Sequence, residues 1–304
     1  MDIISIVLPI FLLIGGGFVL RRYDIVKEEW VHTLNSFVYY VALPALIIVS
    51  FWNISWGTPG LLKLIGTNTL FLVGFALVLG LFLALCPMNR RLKASVFLVG
   101  LVGNSIYMGF PIGEQAFGPE GSASVIGVGT LFLVLGILLA IIGVELFWEP
   151  KKLGAYITGF VKNPLSIGVV LGILVSLIGS SEGLIGTVKG AVGMVAAIAS
   201  PAALIALGSF LHGRFVRDVV WFSILGSAIK LFAFPILIFF ADIMIGGGVR
   251  EVGVSMLLAA MPVAVTTFVI AEQFDLDQSL VASSIVLSTV ASVVTIPLVL
   301  LLWS

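Results

Sequence analysis

A few polar side chains interrupt the apolar stretches of this 304-residue chain, and their types bound the chemistry it can do. Asn104 and Ser105 sit in Gly103-Asn104-Ser105-Ile106-Tyr107-Met108-Gly109-Phe110-Pro111-Ile112-Gly113. Thr266 and Thr267 follow Met261-Pro262-Val263, and Lys230 stands alone in an apolar run that reaches Pro235. Amides and hydroxyls donate and accept hydrogen bonds, and an ammonium adds three donors and a charge. Such groups can recognise a polar or anionic molecule without breaking a bond in it. Covalent chemistry needs a nucleophile with a base, or a metal site. His32 and His212 lie at the ends of apolar segments, Cys86 is the sole cysteine, and no cysteine–histidine spacing fits a metal. No catalytic residue, metal or cofactor is expected. Glu114 with Gln115 and Glu272 with Gln273 add carboxylate–amide pairs, whose oxygens suit a coupling proton or sodium ion.

The elements that must position these residues are membrane spans. Sixty per cent apolar and ten per cent charged residues, with a mean hydropathy of +1.25, exclude a soluble globular domain, in which about a quarter of residues would be charged. Fifteen basic and fifteen acidic residues balance, so no nucleic-acid partner is implied. Runs of about 20 apolar residues place ten spans near 3–21, 32–52, 61–86, 94–117, 122–148, 160–180, 186–211, 219–245, 251–274 and 278–302. The charges of the first run follow it, at Arg21 and Arg22, so it reads as a retained span rather than a cleaved signal. Eleven basic residues fall on one side: Arg21, Arg22, Lys27, Arg90, Arg91, Lys93, Lys151, Lys152, Lys162, Arg214 and Arg217. Only Lys63, Lys189 and Arg250 fall on the other. The positive-inside rule makes the first side cytoplasmic and puts both termini on the outside of a cell membrane.

Two of the spans are interrupted. Three glycines, a proline and an Asn-Ser pair weaken a helix and bring groups that lipid cannot satisfy, so the span around Asn104 should be broken. Pro262 removes a backbone donor in the ninth span, where the two threonines can re-satisfy freed backbone groups. The halves 1–157 and 158–304 echo each other. Pro44 and Pro201 lie in similar words offset by 157 residues, and Glu114-Gln115 and Glu272-Gln273 are offset by 158, which also sets Asn104 opposite Pro262. Five spans per half is an odd number, so the second half would enter the membrane inverted. The fold expected is an all-α polytopic membrane protein of ten helices, built as a 5+5 inverted repeat in which two discontinuous helices cross. Paired interruptions near mid-membrane are how carriers build substrate sites.

The chain resembles the auxin efflux carrier family, which includes the plant PIN-FORMED carriers and bacterial permeases for malate or malonate. The likeness rests on Leu34-Asn35-Ser36-Phe37-Val38-Tyr39-Tyr40-Val41-Ala42-Leu43-Pro44-Ala45-Leu46, on Gly103-Asn104-Ser105 to Gly109-Phe110-Pro111, on Lys162-Asn163-Pro164-Leu165, and on Met261-Pro262 to Phe268-Val269-Ile270-Ala271. Lys230 with Pro235 is similar to the basic residue and proline of the family's eighth span. The resemblance, which extends in fold to the bile-acid sodium symporters, implies substrate beside the crossing. It also implies a scaffold of spans 1, 2, 6 and 7, a transport domain of spans 3–5 and 8–10 moving like an elevator, and a homodimer through the scaffold. The long hydrophilic central loop of the longer plant carriers is missing. Thr267 stands where those carriers tend to have a second proline, so auxin itself is not implied as the substrate.

The expectation is a secondary carrier of a small organic anion, a carboxylate or an auxin-like acid. Its site would comprise Asn104, Ser105, Pro111, Pro262, Val263, Thr266, Thr267 and Lys230, with Glu114, Glu272 and Gln273 in coupling. Each polar residue has a plainer reading. An asparagine in a span can tie helices together, and hydroxyls can bond their own helix. Lys230 lies about 20 Å along its helix from Arg217, past the middle of a core about 30 Å thick. There it must meet a carboxylate, backbone carbonyls or an anionic substrate, or be held neutral. Asp242 and Glu114 fall toward outer span ends, and Glu145 and Glu272 toward cytoplasmic ends, where an interfacial position alone would explain them. A ligand sensor that does not transport and an intramembrane enzyme are the alternatives; the first lacks an output domain and the second a nucleophile.

Overall fold

The computed structural model describes residues 3–148, 163–177, 183–244 and 246–303, and among these every regular element is helical. The order is α1 (Ile3–Arg22), α2 (Glu28–Phe37), α3 (Leu43–Asn53), α4 (Leu61–Leu85), α5 (Arg90–Leu101), α6 (Gly109–Phe147) and α7 (Pro164–Ser176). It continues with α8 (Gly183–Leu211), α9 (Val220–Ala228), α10 (Phe234–Met244), α11 (Val249–Ala259), α12 (Thr266–Gln273) and α13 (Gln278–Leu301). Seven continuous helical stretches among the described residues are long and apolar enough to cross a membrane. The outward side of α4 carries Leu62, Leu70, Leu77, Leu81 and Leu85, all exposed, while Leu64, Leu72, Leu79 and Leu83 are buried. A helix apolar on both sides belongs in lipid. This is a multi-pass membrane protein. The boundary at 157, Lys151, Lys152, Lys162 and both ends of the sixth span lie outside the described residues.

Local chemistry sets where the helices start and bend. Asn89, Asn163 and Asp277 cap α5, α7 and α13 by accepting from the backbone N–H of Leu92, Leu165 and Leu280 at 2.8–2.9 Å. Two π turns, Val38–Ala42 and Ile229–Ala233, join α2 to α3 and α9 to α10. Each stops two residues before a proline, Pro44 or Pro235. A proline cannot donate to the carbonyl four residues back and clashes with it, so the preceding turn widens. Helix α6 bends at Gly118, whose φ of 63° suits glycine, followed by Pro119; the sequence places a connection at this point.

The chain divides into two compact units, one from residues 1–11, 59–151 and 213–304, the other from 12–58 and 152–212. In the second, α3 packs on α7 through glycines: a Cβ on Gly168 would lie 3.2 Å from Pro44 Cα, and one on Gly172 2.9 Å from Phe51 Cβ. Gly17 and Gly208 likewise press α1 and α8 together at the backbones of Ile205 and Ile14. Gly15 and Gly16 have open space beside them. In the first unit α4, α5, α6 and α9 to α13 surround a core that includes Leu72, Leu98, Leu101, Ile112 and Phe234. Every candidate site residue belongs to this unit.

Candidate functional site

Two helices of this unit are unwound where the sequence places interruptions. Helix α5 ends at Leu101 and α6 begins at Gly109; α11 ends at Ala259 and α12 begins at Thr266. The two loops pair. Gly103 and Val263 form an antiparallel bridge, Asn104 N–H donates to Pro262 O at 2.7 Å, and Ala264 N–H donates to Val102 O at 3.1 Å. Unwound backbone so satisfied avoids a cost of several kcal/mol per orphan group. The hydroxyl of Ser288 on α13 accepts from Val263 N–H at 3.0 Å, completing the set on that strand of chain.

Lys230 lies in the π turn before α10 and is 1 % exposed. Its ammonium donates to Ala259 O, the last carbonyl of α11, and lies 5.0 Å from the centre of the Phe234 ring, a cation–π distance. Phe75 and Phe132 hold that ring, with centroids at 4.8 and 5.3 Å. A Cβ on Gly103 would lie 2.8 Å from Lys230 Nζ and 3.2 Å from Met261 O. A side chain at position 103 would meet both the end of the Lys230 side chain and the Met261 carbonyl. Among the described residues Lys230 has no carboxylate partner; of the partners expected for it, the structure shows a backbone carbonyl.

The remaining predicted residues separate. Asn104 is 3 % exposed; its carbonyl accepts from Met108 and Gly109 N–H, while its side-chain Oδ1 has no donor. Ser105 is buried beside it. Pro111 stands in the first turn of α6, where a missing N–H costs no helical bond. Thr267 Oγ1 donates to Ala264 O at 2.7 Å, which is the backbone repair expected of it. Thr266 is buried with Oγ1 unpartnered, so its hydroxyl is available. The structure thus gathers Asn104, Ser105, Pro262, Val263, Thr266, Thr267 and Lys230. Glu114, Glu272 and Gln273 are exposed on α6 and α12 and are not brought to the paired loops.

Sequence reasoning missed Ser288, although Ser284, Ser288 and Ser292 recur every four residues along α13 and are all buried. It also missed a buried polar group made of Asn68, Asp242 and Ser255. The paired loops bring together hydrogen-bonding side chains and one ammonium. They hold no nucleophile paired with a base, and no group of three metal-ligating side chains exists among the described residues.

Known proteins resemble the chain along nearly its whole length. The chain is 28 % identical to an "Uncharacterized transporter" of Methanothermobacter thermautotrophicus, over 96 % of this chain and 95 % of that one. A second "Uncharacterized transporter", from Methanocaldococcus jannaschii, is 27 % identical over 98 % and 97 %. A Rhizobium meliloti protein named "Putative malonate transporter" is 28 % identical over 97 % and 94 %. These are names of transporters, not enzymes. A family model described as "Membrane transport protein" matches residues 2–300, and the chain belongs to that family, in keeping with its auxin-efflux-carrier resemblance.

Proposed function

We propose that the protein is a secondary carrier of a small organic anion, a carboxylate or auxin-like acid, bound where segments 102–108 and 260–265 pair. The observation that carries this reading is Lys230: a buried ammonium beside Gly103, bonded to one backbone carbonyl and, among the described residues, lacking a carboxylate. A buried charge of this kind is costly unless paired, and an anionic substrate would supply the partner. Asn104 Oδ1 and the Thr266 hydroxyl, both without partners, are the groups that would orient it. The relative named for malonate supports a carboxylate as the first substrate to test.

In this reading the paired loops are the crossing of two discontinuous helices, and the chain forms ten spans in a 5+5 inverted repeat. The reciprocal bonds 104→262 and 264→102 are what such a repeat would produce. Spans 3–5 and 8–10, in the unit that holds all the site residues, are the transport domain, and spans 1, 2, 6 and 7, which lie in the other unit except for residues 3–11, are the scaffold, through which two copies would associate. Alternating access is by elevator movement, in the cell membrane, with both termini outside. Coupling is to protons or sodium, with Glu114, Glu272 and Gln273 the exposed groups to test for it.

A thermal-shift screen of carboxylates on detergent-purified protein tests the site, because a ligand that binds the folded state stabilises it by mass action. At least one carboxylate should raise the midpoint of wild type, with the rise much reduced in Asn104→Ala and Lys230→Ala. Equal stabilisation of both variants would remove the proposed site.

A further inference from the structure

The first unit buries a second polar group, away from the paired loops. Asn68 on α4, Asp242 in the last turn of α10 and Ser255 on α11 are each 0–1 % exposed. Asn68 Nδ2 spends both its protons, one on Leu64 O at 3.0 Å and one on Ser255 Oγ at 2.9 Å. Its Oδ1 is left with no donor. Ser255 and Asn68 interact with the Asp242 carboxylate, but neither closes a hydrogen bond of ordinary length and angle to either of its oxygens. Three buried acceptor oxygens on two side chains therefore lack any positive partner.

Among the described residues no protein cation supplies one. The charged groups on the helices packed against α10 are Lys63 on α4 and Arg250 and Glu251 on α11, and Lys230 lies earlier in the same span. Arg250 pairs with Glu120 at 2.6 Å, and Lys230 donates to Ala259 O. None of them forms an ion pair with Asp242. A buried carboxylate without a counter-charge or donors costs far more than a protein tolerates for packing alone. Buried oxygens of this type, from carboxylate, amide and hydroxyl, are the donor set that hard cations choose.

We propose that Asp242, with Asn68 and Ser255, binds a monovalent cation, a proton or a sodium ion. Asn68 and Ser255 lie seven and six residues into their helices, about 10 Å from the helix ends at 1.5 Å per residue. Ser255 stands one turn before Ala259, whose carbonyl holds Lys230, so an ion drawn onto Ser255 acts on the helix that leads into the paired loop. As a coupling site this rests on the carrier reading; as a cation site it does not.

The test uses the full-length purified protein and two probes that need no flux. Sodium is titrated against choline at constant ionic strength while the thermal midpoint is followed, and pH-difference infrared spectra report carboxyl protonation. Wild type should show a saturable sodium-dependent rise in midpoint, which identifies sodium, or a protonated-carboxyl band, which identifies the proton. Asp242→Asn, which keeps the volume, should abolish whichever signal appears. Ser255→Ala should weaken a sodium signal at least severalfold or displace the carboxyl band, and it stands in should Asp242→Asn fail to fold. Absence of both signals in wild type, or survival of the signal unchanged in the variants, overturns the proposal. A protein that shows the signal yet moves no carboxylate would refute the carrier reading and leave this site standing.

Discussion

Asn104 donates its backbone N–H to the carbonyl of Pro262 across 2.7 Å, and so fixes together two loops that the chain supplies from opposite halves. The bond leaves the Asn104 side chain out of the fold's own accounting, since its Oδ1 accepts nothing. The backbone of this residue is structural, and its side-chain oxygen is not used in that role.

Lys230→Met keeps most of the side-chain volume and removes the charge. If the ammonium meets substrate, the lost charge-assisted bond is worth about 1.5–3 kcal/mol, or roughly a ten- to hundredfold weaker apparent affinity for the carboxylate. Binding isotherms on wild type and variant read this directly, and unchanged affinity would place the substrate elsewhere.

Thr266 and Thr267 should respond in opposite ways to the same change. Thr267→Val removes the bond to Ala264 O and should cost about 1 kcal/mol of stability, seen as a lower thermal midpoint. Thr266→Val removes a hydroxyl with no partner, so the midpoint should hold while substrate affinity falls.

Gly103→Ala places a Cβ against Lys230 and Met261 O, and overpacking of this kind costs about 1–3 kcal/mol. Truncating the lysine opens that space. In a double-mutant cycle the cost of Gly103→Ala should therefore shrink in the Lys230→Ala background. An equal cost in both backgrounds would show that the backbone, not the lysine, demands the glycine.

Ser288→Ala leaves the buried Val263 N–H without an acceptor, at a cost of about 1–3 kcal/mol. Ser288→Thr keeps the hydroxyl and should retain most of the stability. Thermal midpoints of the two variants separate loss of the bond from loss of packing.

Much of this arrangement is legible in the sequence because glycines, a proline and an Asn-Ser pair clustered in one apolar span weaken its helix. Gly103 to Gly113 and Pro262 mark both interruptions, and depth alone marks Lys230 as a residue that must face protein. What they meet is not legible. The pairing of the two loops is a long-range backbone contact between residues 158 positions apart, which no local pattern encodes. That Gly103 meets Lys230 depends on how α10 packs. Asp242 reads as interfacial from its place near a span end, yet it is 1 % exposed, because α4 and α11 cover it. Asn68 and Ser255 look like ordinary isolated polar residues until the fold brings them to one carboxylate.

The most direct measurement is uptake of labelled carboxylates, malonate first, by liposomes containing the purified protein under proton and sodium gradients. The account predicts saturable uptake above that of empty liposomes, strongly reduced in Asn104→Ala and Lys230→Met. No uptake across a broad panel of carboxylates under either gradient, or wild-type rates in both variants, would contradict it.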